Sequence, residues 1–93
     1  MEIINESELH KFAKNHSNSR KPIGNWLDIT RVADWNSFLD VRRTFNSADY
    51  TNEMVIFNIG GNNWRLITSI DFEKQQVFVL EVMTHAEYNG WKP

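Results

Sequence analysis

The amino-acid sequence predicts an α+β domain, with two to three N-terminal helices packed on one face of a small antiparallel sheet. Three observations carry that expectation. Apolar residues recur at helical spacing through the first half of the chain, as in Ile23, Trp26, Leu27 and Thr30. Near residue 53 the period changes to that of strands, and β-branched and aromatic residues crowd "EMVIFNI", "WRLITSID" and "QVFVLEVM". Between these runs lie the turn clusters "GGNN" and "FEKQ", so the strands form a three-stranded meander.

Taken in order, Glu2, Ile3 and Ile4 can form a short strand that joins the sheet. Asn5 or Ser7 offers an N-cap, and acidic Glu6 and Glu8 suit the first turn of a helix over residues 6–15, where the dipole favours them. Leu9, Phe12, Ala13 and His16 form its apolar repeat. "NHSNSRKP" is a turn, and Pro22 sits in the first turn of a second helix. Its stripe is Ile23, Trp26, Leu27, Thr30 and Ala33, which Trp35 and Asn36 interrupt. Ser37 can cap a third, shorter helix holding Phe38, Leu39, Arg42 and Phe45. "NSADYTN" reads as another turn cluster before the strands. "THAEYNGWKP" closes the chain as one helical turn or an ordered tail. No repeat, linker or low-complexity segment divides residues 1–93, which read as a single domain.

Composition narrows the function classes. Apolar residues make up 41%, with four Trp and six Phe, which suits a short chain that must fill its core efficiently. The absence of cysteine excludes disulfides and thiolate metal sites, and His10, His16 and His85 have no zinc-ligand spacing. "MEIINESELHKF" lacks the pattern of a signal peptide, and no apolar run approaches the roughly 18–20 residues of a membrane span. The expected location is the cytoplasm, with no membrane partner, metal or cofactor. A net charge of −2 argues against a nucleic-acid partner unless cations gather locally. Most of the basic residues, including Arg31, Arg42 and Arg43, do lie in the first half of the chain.

The helices can cover only one sheet face, so the other meets water. On the middle strand Trp64, Leu66, Thr68 and Ile70 share one side, while Arg65, Ile67, Ser69 and Asp71 share the other. Arg65, Asn58 and Glu81 each interrupt an otherwise apolar strand. A four-residue loop over 60–63 sets Asn58 opposite Arg65. A two- or four-residue loop between the later strands sets Arg65 opposite Val82, whereas a three-residue loop pairs it with Glu81 as a structural ion pair. His85 and Tyr88, three apart, share one side of a helical turn, while Glu87 points to solvent. A guanidinium, an imidazole and a phenol around one cleft suit a phosphodiester.

The segments "VIFNIGGNNWRLITSIDF" and "VFVLEVMTHAEYNGW", with the earlier "ADWNSFLDVRRTFNSADY", resemble the HigB-type mRNA interferases of the RelE-like toxin group. The resemblance covers nearly the whole chain, and its most specific parts are "FNIGGN-x-x-RL" and "THAEY". It implies a RelE-like fold and metal-independent cleavage of mRNA, often on the ribosome. It also implies neutralisation by a HigA-like helix-turn-helix antitoxin that carries the pair to operator DNA. By the same resemblance Arg65 stabilises the phosphorane, and His85 and Tyr88 serve as acid, base or orienting groups. Asn58 and Asn62 position substrate, with Arg42 and Arg43 as supporting cations. Asn63 stands where many relatives have Lys. The competing expectation is a non-catalytic module that docks a protein on its open sheet face, with Trp64 and Trp91 as anchors.

Overall fold

The computed structural model describes residues 1–91. The chain runs β1 (Glu2–Ile4), α1 (Ser7–Asn15), a 3₁₀ turn (Ser17–Ser19), α2 (Arg20–Val32), α3 (Phe38–Thr44), β2 (Asp49–Thr51), β3 (Met54–Ile59), β4 (Trp64–Asp71), β5 (Gln76–Thr84) and α4 (His85–Asn89). The fold is α+β, as expected, but the sheet has five strands in the order β1-β5-β4-β3-β2. β1 pairs parallel with β5, and the other pairs are antiparallel. The expected tail "THAEYNGWKP" does form a helical turn at α4, and its last two residues lie outside the described residues.

Two expectations are corrected near the turns. "NSADYTN" is not only a turn: Asp49, Tyr50 and Thr51 form β2, an edge strand, and Asn52 and Glu53 make the two-residue hairpin with φ of 49° and 62°. Both central residues of such a turn need positive φ. Asn supplies that readily, but Glu does not advertise it. At α1 the cap is Glu6, with no side-chain hydrogen bond, so neither Asn5 nor Ser7 caps the helix. Asn5, at φ 70°, instead donates from Nδ2 to the carbonyl of Val79 at 3.3 Å. Ser37 caps α3 as expected, accepting from the backbone N–H of Asp40.

The main core lies between helices and sheet. Leu9, Ile23, Trp26, Leu27 and Val41 from the helices meet Phe57, Leu66, Val77 and Val79 from the strands. Trp35 interrupts the α2 stripe but is itself buried core, with edge-on and stacked contacts to Phe45 and Phe57. Trp64 also packs against this core. A second, smaller cluster of Ile56, Ile67 and Met83 lies on the opposite sheet face, with Met54, Tyr88 and Trp91 packed on it. The second face is therefore only partly open, because the C-terminal segment folds back over it.

Register is decided by a bulge. The β4–β5 hairpin starts at Asp71↔Gln76, the register that would set Val82 opposite Arg65. Between Thr68↔Val79 and Ile67↔Glu81 the pairing shifts by one residue, leaving Leu80 unpaired. Arg65 consequently faces Met83, and Glu81 faces Ile67, so neither expected alternative is observed. The extra residue switches the strand's alternation: Val77 and Val79 look into the main core, while Met83 turns to the face of Arg65. Asn58 does face Arg65 across β3 and β4, as the four-residue loop requires.

Candidate active site

The site is assembled where β4 begins, β5 ends and the 60–63 loop turns. Gly60 and Gly61 take φ of 62° and 68°, which lets the loop fold back over the strand ends. Thr84 terminates β5 and caps α4. Its hydroxyl accepts from the backbone N–H of Glu87 at 3.1 Å, and its own backbone N–H donates to Glu87 Oε1 at 2.8 Å. This reciprocal pair is a capping box. The Thr84 backbone N–H, and then its hydroxyl, hold the Glu87 carboxyl below the ordinary carboxylate range. The backbone N–H of His85 donates to the Asn63 carbonyl at 3.0 Å, tying α4 to the loop.

Arg65 is 8% exposed. Its Nη1 donates to the carbonyls of Asn62 at 3.1 Å and Trp64 at 3.3 Å. Its Nη2 donates to Asn62 Oδ1 at 3.3 Å and lies 3.2 Å from His85 Nδ1. The guanidinium can only donate, so Nδ1 must be the acceptor, and the neutral ring then carries its proton on Nε2. The Tyr88 ring centroid lies 5.2 Å from Arg65 Cζ, within cation–π range. Tyr88 in turn stacks on Trp91 with centroids 5.8 Å apart. Among the described residues no carboxylate forms an ion pair with Arg65, since Glu81 stands opposite Ile67.

Arg65, His85, Tyr88 and Asn62 are thus gathered in one place, with Asn58 across the strand pair from Arg65. Arg42 and Arg43 are not with them. They lie on α3, in the helix layer, whose Val41 packs into the core on the other side of the sheet. There the two arginines line a shallow groove with Phe38, Leu39 and Asn46, and Arg43 pairs with Asp40 at 3.5 Å. Arg31 pairs with Glu6. Trp64 and Trp91 are not free anchors on an open face: one packs on the main core, the other on the second cluster and Tyr88. Met83 and Thr84 escaped the reading of the sequence as site residues. The T-x-x-E spacing of Thr84 and Glu87 was the signal available for the cap.

A buried cation flanked by an imidazole and a phenol can grip a phosphate and move protons beside it. No group of three His, Asp or Glu residues that could hold a metal ion occurs among the described residues. No described helix is long and apolar enough to cross a membrane.

Residues 19–91 match the family model described as the HigB toxin, RelE-like toxic component of a toxin-antitoxin system. The chain belongs to the HigB toxin family. That match runs from the start of α2 through α4 and includes every residue of the Arg65 cluster. An mRNA interferase HigB of Escherichia coli O6:H1 is 27% identical over 92 residues, covering 96% of this chain and 89% of that protein. The mRNA interferase HigB of Shigella flexneri is 28% identical over 92 residues, covering 96% and 88% respectively. For a HigB-family chain the helix-backed sheet is the RelE-like fold, and the toxin's counterpart is an antitoxin.

Proposed function

We propose that this toxin is a metal-independent endoribonuclease that cuts mRNA during translation on the ribosome. The observation that carries the reading is the Arg65 guanidinium, buried, free of carboxylate among the described residues and set against both His85 and Tyr88. An arginine neutralised by Glu81 would have no such use. The relatives named mRNA interferases are consistent with it.

Cleavage starts with removal of the ribose 2′-OH proton and attack of that oxygen on the adjacent phosphorus. Arg65 binds the phosphate oxygens and stabilises the negative charge that grows on them. To do so its Nη2 exchanges His85 and Asn62 for phosphate oxygens, which releases Nδ1 of His85 to take up the 2′-OH proton. The imidazole, then protonated at both nitrogens, delivers a proton to the departing 5′-oxygen. Tyr88 keeps the guanidinium in place by its ring and presents its hydroxyl to the same cleft. Asn62 and Asn58 orient the arginine and the strand that carries it. The products are a 2′,3′-cyclic phosphate and a 5′-hydroxyl end. A HigA-like helix-turn-helix antitoxin restrains the enzyme and links it to operator DNA.

The experiment is end-mapping of mRNA in a translating extract supplied with purified toxin. Fragments with 5′-hydroxyl ends are expected, and Arg65→Ala, folded by circular dichroism, should lower cleavage by about 10²–10³-fold. Intact mRNA with the wild-type protein, or undiminished cleavage with the folded variant, would overturn the reading.

A further inference from the structure

The outer edge of β3 is paired only over its first half. β2 covers it from Thr51↔Met54 to Asp49↔Ile56 and then ends. Peptide groups alternate sides along a strand, so those of Met54 and Ile56 turn toward β2 and those of Val55 and Phe57 toward β4. Thr68 Oγ1 donating to the Val55 carbonyl at 2.8 Å fits that phase. The next outward group belongs to Asn58, whose backbone N–H and C=O therefore face past the end of β2 with no strand partner among the described residues.

A groove of about 350 Å³ opens beside this edge, between β3 and the N-terminal half of α2. Pro22, Trp26, Ile29 and Phe45 give it apolar walls, and Lys21 is its one charged wall residue. Ile29 is 42% exposed there. Trp26 is only 2% exposed, and its buried indole N–H has no acceptor among the described residues.

We infer that this edge and groove take an extended segment of the antitoxin. The segment pairs as a short strand with Asn58, places an apolar side chain between Pro22 and Phe45, and sets a carboxylate beside Lys21. Unpaired peptide groups on a sheet edge are completed by a strand and not by a helix. The apolar walls select an aliphatic or aromatic anchor, and a cation with no acid beside it in the groove selects an acidic neighbour. Because Asn58 faces Arg65, the segment binds one strand away from the guanidinium and leaves α4 uncovered. This inference rests on the toxin reading and names the place where the partner holds the toxin.

The test uses the full-length toxin and the purified antitoxin encoded beside it. In the complex, amide exchange at Asn58 should slow at least tenfold. The double variant Lys21→Glu, Ile29→Glu, altered at exposed positions outside the Arg65 cluster, should still arrest growth when expressed alone. Its affinity for the antitoxin should fall at least tenfold, so that co-expression no longer rescues growth. Wild-type affinity in the double variant, or slowed exchange at α4 with Asn58 unchanged, overturns the inference. Failure of the toxin reading shows separately, as absence of arrest and of mRNA cleavage by wild type, since binding and exchange need no catalysis.

Discussion

Arg65 Nη2 and His85 Nδ1 lie 3.2 Å apart, although 20 positions separate the two residues in the chain. The contact joins the start of β4 to the first residue of α4. It exists because the bulge at Leu80 shifts the end of β5 against β4, and because Thr84 then turns the chain into a helix at that point. The guanidinium and the imidazole are therefore brought together by backbone geometry and not by neighbouring sequence.

Replacing Arg65 with lysine keeps the charge and loses the planar fork. An ammonium has three donors and cannot span Asn62, Trp64 and His85 in one plane. Arg65→Lys is expected to retain the fold and lose most mRNA cleavage. Single-turnover cleavage beside a circular dichroism melt separates the two effects, and near-wild-type cleavage would remove the fork from the mechanism.

The capping box predicts a separate loss. Thr84→Ala removes the hydroxyl that receives the Glu87 N–H, which typically costs about 0.5–2 kcal/mol. Because α4 carries His85 and Tyr88, activity should fall as well, and Thr84→Ser should restore both. A Thr84→Ala protein with unaltered melting and cleavage would mean that α4 is held without its cap.

Acid pH should act through the same cap. The Glu87 carboxyl is held below its ordinary value of 4.5 by the backbone N–H and hydroxyl of Thr84. A carboxylate with a depressed folded-state pKa contributes its stability above the unfolded value and loses it as pH falls through the folded one. Ordering of α4 is thus complete at neutral pH and declines below about 4.5. Glu6 behaves alike, lowered by its bond to His10 and then by Arg31. Tyr88 and Trp91 fluorescence followed from pH 7 downward should show the change only in that acid range, and Glu87→Gln should flatten the α4 component.

Met83 is 3% exposed and belongs to the cluster on which Tyr88 and Trp91 rest. Met83→Ala should destabilise the protein by about 2–5 kcal/mol, and loosen Tyr88 from Arg65 in the same step. Chemical denaturation gives the first number. The second appears as a drop in cleavage larger than the unfolded fraction explains.

Deleting Leu80 is a direct test of the bulge. With Leu80 removed the register of Asp71↔Gln76 runs on without a shift, and Met83, one position nearer along the shortened strand, stays opposite Arg65. Glu81 keeps Ile67, Thr84 keeps Trp64 and α4 keeps its phase, so the deletion removes the local bend and not the partners of the site residues. The expected outcome is a protein with native-like secondary structure that still cleaves mRNA; a folded deletion variant without cleavage would show that the bend itself, and not the register alone, sets the site.

Much of this molecule was determined locally, by the sequence itself. The helical stripe of Ile23, Trp26, Leu27 and Thr30, the Ser37 cap, the meander and the two sides of β4 all follow from spacing and turn chemistry within a few residues. The pairing of Asn58 with Arg65 followed from one loop length. Tertiary structure decided the rest. The bulge at Leu80 lies beside the Val79 carbonyl that accepts from Asn5 and leaves no mark in the loop length, which alone misplaced Arg65 by one residue. β2 was hidden because Asp49, Tyr50 and Thr51 form a strand only when β3 is there to pair with them. Arg42 and Arg43 were legible as cations, but the packing of Val41 and Phe45 put them behind the sheet. A strand's alternation is a property of its own backbone, whereas the partner each side chain meets is fixed by register and packing between segments distant in the chain.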